Sequence, residues 1–244
     1  MELLQNPADR GYPPEYLLSR IRGRRSQLIR EWRPLIADPV LLESHSSAKA
    51  GVLQQVAAAD GMWRNLMREY EWVYGQMDLQ TRDIFHPFFL HVELRTLFIC
   101  LRHITDRKTG TIDGFLRNSL LSDKIKGVLL LSADLRDAVN GIELLFLSRS
   151  KKFAGIAIAL ETGGLRGVEQ RLTETCLADI AASTLHPFMR MFFSHIIDAR
   201  NIMSLYKYLR LGLKTVPPVI PGGAISEKRL REAYAKKDIS GIGP

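Results

Sequence analysis

The sequence predicts an all-α protein built from repeated helical units. Three observations carry this. Apolar residues recur at steps of three and four through most of the chain, capping residues stand ahead of those runs, and strand-like alternation is scarce. Pro13 and Pro14 open a first helix, with Leu17, Ile21, Leu28 and Trp32 at helical spacing. Asp60 is expected to cap a second, whose apolar face holds Trp63, Leu66, Met67, Tyr70, Val73 and Tyr74. Asp78 starts a helical region that ends near Thr105 to Gly110. Ser132 is expected to cap the next clear stretch, in which Leu135, Val139, Ile142 and Phe146 share a face. Gly163, Gly164 and Gly167 break the pattern before a run from about Val168. A long helix from about Pro187 to Leu213 stops before Pro217-Pro218, and Ser226 caps a last helix, Glu227 to Lys237. The chain divides into two helical units, residues 1–110 with the basic N-terminal helix and residues 111–244.

Bulk properties narrow the function only coarsely. The 244 residues are 46% hydrophobic and 25% charged, which suffices for a buried core. The net charge of +8 suits an anionic partner, whether nucleic acid, a membrane surface or an acidic subunit. Cys100 and Cys176 fall in apolar helical stretches, as expected of small buried side chains in a reducing compartment. The N-terminus lacks the basic-then-apolar order of a secretory signal. The longest apolar runs, such as Val128 to Leu131, are far below the ~20 residues of a membrane span. The expectation is a cytoplasmic protein, or one attached to a membrane from outside.

No catalytic pattern stands out. His195 and Asp198 share a helix face, His91 and Glu93 do not, and neither pair has the spacing of a helical metal site. Gly163 to Gly167 lacks both the Lys-Ser/Thr end of a phosphate loop and a preceding strand, so a helix-breaking loop is the expectation. Cys100 has His103 on its face but no third group to orient it. No enzyme activity, cofactor or metal is expected. Arg20, Arg22, Arg24, Arg25, Arg30 and Arg33 crowd the first helix against Glu31 alone. They read as a solvated face or one paired with a partner's acids, the alternative being phosphate contacts of a nucleic-acid-binding protein.

A loosely repeated phrase is more informative. His86-Pro87-Phe88 precedes Glu93-Leu94-Arg95-Thr96-Leu97, and His186-Pro187-Phe188 precedes Asp198-Ala199-Arg200-Asn201-Ile202. The two His-Pro-Phe halves are out of register with the acids that follow. In each copy an acid, Glu93 or Asp198, is followed two positions on by Arg95 or Arg200 and three on by Thr96 or Asn201. A base follows in register, Arg102 or Lys207. The acid and the Thr/Asn are neighbours on one helix face, where buried polar groups would join the helix to a neighbour. This makes the repeat architectural.

At these residues the chain resembles the C subunit of archaeal and bacterial A/V-type rotary ATPases, called subunit d in eukaryotes. Tyr16 to Leu28 is similar to that family's opening Tyr-x-x-x-Arg-Val-Arg-x-x-x-Ser-x-Leu helix. Asp198 to Ile202 is similar to its Asp-x-x-Asn-(Leu/Ile) motif, with Glu93 to Arg102 a weaker copy. Ile220-Pro221-Gly222-Gly223-Ala224-Ile225 is similar to its Ile-Pro-Gly-Gly-x-Leu element. The residues between Arg107 and Leu160 do not contribute. Members of the family carry three such units and this sequence has two, so the resemblance is to a shortened member. It implies a funnel-like, all-helical, non-catalytic adaptor whose partners are the stalk subunits and the membrane proteolipid ring, with no direct nucleic-acid contact. Membrane contact would run only through the ring, on its cytoplasmic side. Torque from ATP hydrolysis, or from proton or sodium flow in reverse, would pass through it. Arg20, Arg22, Arg24, Arg25, Glu93, Arg95, Asp198, Arg200 and Asn201 are the candidate structural and partner-contacting residues.

Overall fold

The computed structural model describes residues 3–25, 59–239, 241 and 242. Leu28, Arg30, Trp32 and Arg33 of the expected first helix lie outside these residues. The described residues are mostly helical and contain no strand; Leu4 and Leu121 form one isolated antiparallel bridge. The helices are α1 (Pro14–Arg25), α2 (Ala59–Gln76), α3 (Leu79–Thr105), α4 (Ile112–Leu116), α5 (Asp123–Leu131), α6 (Leu135–Leu147), α7 (Ile156–Ala182), α8 (Pro187–Arg210) and α9 (Glu227–Lys236).

Helix ends follow local chemistry, with two corrections to the sequence reading. Asp78 caps α3 by accepting from the Thr81 N–H at 2.7 Å, and Ser226 caps α9 by accepting from the Arg229 N–H. Ser132 does not open α6. Its N–H closes the last turn of α5 on the Val128 carbonyl, and Asp134 caps α6 by accepting from the Asp137 N–H at 2.8 Å. Asp60 lies inside α2 rather than ahead of it, since that helix begins at Ala59. The glycines at 163–167 do break the helical run: Gly164, at φ 61° and ψ −159°, is not helical, and the two arms of α7 fold back on each other there, so that Arg171 donates to the Ala154 carbonyl at 3.2 Å.

Helix α3 is the axis of the fold, packing against α4, α6, α7 and α8. One core cluster of buried side chains contains Leu94, Leu97 and Leu101 of α3 together with Ile125, Val139, Ile142, Phe146 and Leu172, so it draws on both sides of residue 110. Two smaller clusters follow. One, around Phe193 and Ile197, includes Ile220; the other seats Leu230 and Ala233 of α9 against Leu205 of α8. By length and composition α3 is long and apolar enough to cross a membrane, and 44% of its apolar window is buried within the fold. Cys100 and Cys176 are free thiols in this interior, and burial pushes each up to about 12. A protonated, enclosed thiol is a packing residue.

Arg82, at the start of α3, is 3% exposed. Its guanidinium donates to the carbonyls of Tyr74, Met77 and Pro7. A buried cation needs such acceptors, and these three fasten the N-terminal segment across the α2–α3 turn.

Candidate functional site: two carboxylate joints and an arginine cleft

The repeated motif folds into the same device twice. In the first copy Glu93, fully buried on α3, accepts from the backbone N–H of Leu120 and, at 2.8 Å, from the Ser119 hydroxyl. In the second, Asp198 on α8 accepts from the N–H groups of Ala224 and Ile225 at 3.0 and 3.1 Å. The sequence separations are 26 and 27 residues in both copies. Each clamped loop then leads into a helix behind a serine, Ser122 before α5 and Ser226 before α9. The acid therefore joins its helix to the loop that launches a later helix, not directly to a neighbouring helix. The His-Pro-Phe halves are not equivalent: Pro87 lies inside α3, whereas His186 caps α8 with Pro187 at its first turn.

The third residue after each acid serves the same joint. Asn201 reads both polar groups of one residue, donating to the Ile220 carbonyl and accepting from the Ile220 N–H, each at 2.9 Å. Thr96 accepts from the Trp63 indole N–H at 3.2 Å, tying α2 to α3. The two glycines of Pro221-Gly222-Gly223 are required by this contact. Gly222 sits at φ +99°, and a side-chain carbon on Gly223 would fall inside the Asp198 carboxylate.

Burial pushes Glu93 up to about 7, against the lowering effects of the Leu120, Ser119 and Thr96 hydrogen bonds and of Lys126. Burial also lowers Lys126, which Glu93 partly offsets.

Two arginines at matching motif positions, Arg95 of α3 and Arg200 of α8, line one cleft of about 640 Å³. Trp63, Tyr70, His91, Phe98, Arg102 and Thr173 also line it. Arg95 lies over the Trp63 ring, 4.6 Å from its centroid. Arg102 forms a two-pronged bond with Glu169 of α7, both contacts 2.8 Å. His91 has a buried Nδ1 with no hydrogen-bond partner among the described residues. Burial and then the Arg200 charge hold its imidazole down at about 4. His91 was set aside as a metal ligand on spacing; its place in the cleft had no signal in its own neighbours.

The basic helix goes elsewhere. Arg20 and Arg24 stand over the ring of Trp72 at 5.1 and 3.8 Å, Arg24 also pairs with Glu69, and Arg22 and Arg25 are exposed. Among the described residues, no group of three or more His, Cys, Asp or Glu side chains could hold a metal ion. Comparison with known protein families, curated proteins and solved structures returns no match.

Proposed function

We propose that this protein is a non-catalytic adaptor in the rotor of a V-type or A-type ATPase, linking the central stalk to the membrane proteolipid ring during ATP-coupled proton or sodium transport. One observation carries the reading. Two of the segments that resemble the family, Asp198 to Ile202 and Ile220 to Ile225, are bonded to each other by four hydrogen bonds from two side chains. The weaker copy at Glu93 repeats the joint at the same spacing. A part that passes torque without doing chemistry needs joints that resist shear, and buried, fully partnered polar networks supply that stiffness. The exposed Arg22 and Arg25, beside Arg20 and Arg24 on α1, offer a basic face to acidic neighbours in such a complex.

The test is to tag the chain in its native cells and isolate it from gently solubilised membranes. Stalk subunits and proteolipids are expected in the eluate, and their absence refutes the proposal. Steeply salt-dependent DNA or RNA binding, lost when Arg20, Arg22, Arg24 and Arg25 are neutralised, would replace it with the nucleic-acid reading.

A further inference from the structure

We propose that the arginine cleft between α2, α3, α7 and α8 is a binding site for a small oligophosphate anion. Three guanidinium groups from two helices, Arg95, Arg102 and Arg200, line this single cavity. Its volume of about 640 Å³ falls within the range of small-molecule sites. The cations are not equivalent. Glu169 already neutralises Arg102, while among the described residues neither Arg95 nor Arg200 forms an ion pair. Glu174 acts on Arg200 only as a nearby charge. Two positive groups thus face the cleft without a contacting acid, and Arg95 is held in place by the Trp63 ring.

His91 also lines the cleft, close enough to Arg200 to feel its charge, so its ring signals report on what binds there. Donors arriving from different helices suit an acceptor with oxygens in several directions, as a phosphate chain has and a single planar carboxylate has not. Trp63 is only 9% exposed, with Arg95 over its ring, so that ring is closed to a nucleobase, while Tyr70 and Phe98 also line the cleft. Phosphate oxygens are what the guanidinium groups read. This inference does not rest on the rotor reading.

The experiment titrates the purified full chain with inorganic triphosphate by calorimetry at physiological salt, with ATP and citrate as separate arms. Saturable one-to-one binding is expected, equal for triphosphate and ATP within a few-fold. Arg95→Gln and Arg200→Gln should each weaken it about tenfold or more, while an Arg22→Gln/Arg25→Gln double variant leaves it unchanged. NMR of the unaltered chain gives a readout that needs no variant: the His91 ring signals should shift on saturation with triphosphate. The proposal is overturned by no saturable binding, by binding that weakens as much in the Arg22/Arg25 variant, by citrate binding as tightly as triphosphate, or by unmoved His91 signals.

Discussion

Replacing Asp198 by alanine removes two hydrogen bonds to a carboxylate but strands their donors unequally. Ala224 is exposed, so its N–H can turn to water, while Ile225 is 5% exposed and its N–H cannot. Hydrogen bonds to a charged group contribute about 1.5–3 kcal/mol each, and a buried N–H left unpaired costs about 1–3 kcal/mol. Allowing for solvent at Ala224, the substitution should destabilise by about 3 kcal/mol. Equilibrium unfolding in urea reads this directly. With an m-value of about 3 kcal/mol/M for a chain of this size, the midpoint falls by about 1 M at unchanged slope. Asp198→Asn keeps the shape and one acceptor oxygen, so it should fall between wild type and alanine. A midpoint shift below about 0.3 M for Asp198→Ala would mean that the joint is not what holds the Ile220–Ile225 loop, and the reading of the motif as a structural lock would fail.

Glu93 carries the pH test. Its folded-state pKa is raised above the unfolded value, so its contribution is most favourable below about 4.5 and is lost as pH rises through about 7. The difference in unfolding free energy between wild type and Glu93→Gln should therefore move by about 2–3 kcal/mol against wild type between pH 5 and pH 8; a difference that stays flat contradicts the buried placement. Gly223→Ala forces a methyl group into the Asp198 carboxylate and should cost at least about 2 kcal/mol in the same urea assay, whereas Gly241→Ala, with open space around it, should change stability by less than about 0.5 kcal/mol. Arg82→Met leaves the Tyr74, Met77 and Pro7 carbonyls without their donor; limited proteolysis should then cut within residues 5–13 far faster than in wild type, and an unchanged rate would argue against Arg82 as the fastener.

Much of the helical order could be read from the sequence because capping chemistry is local. Asp78 and Ser226 each act on an N–H three residues ahead. Ser132 misled for the same local reason. It stands two residues before Asp134, and periodicity does not distinguish the end of one helix from the cap of the next. The Gly163-Gly164 pair read as a break for a local reason too, since the positive φ that Gly164 adopts suits glycine. The acid of each motif copy was visible; its partner was not. A carboxylate that binds backbone N–H groups places no demand on the side chains at Leu120 or Ile225, so those residues carry no mark. The traces were the constant offset to a loop ahead of a serine and, in the second copy, the Pro221-Gly222-Gly223 turn that makes room for Asp198. The arginine cleft had no local trace, because Arg95 and Arg200 reach it from different helices.

The central claim, that this chain passes torque between stalk and ring, is most directly tested by deleting it from its native cells and assaying their membranes. ATP-driven ion transport should be abolished and restored by the intact chain, while the detached catalytic sector still hydrolyses ATP. Coupled transport at the wild-type rate in membranes lacking the chain would contradict the account.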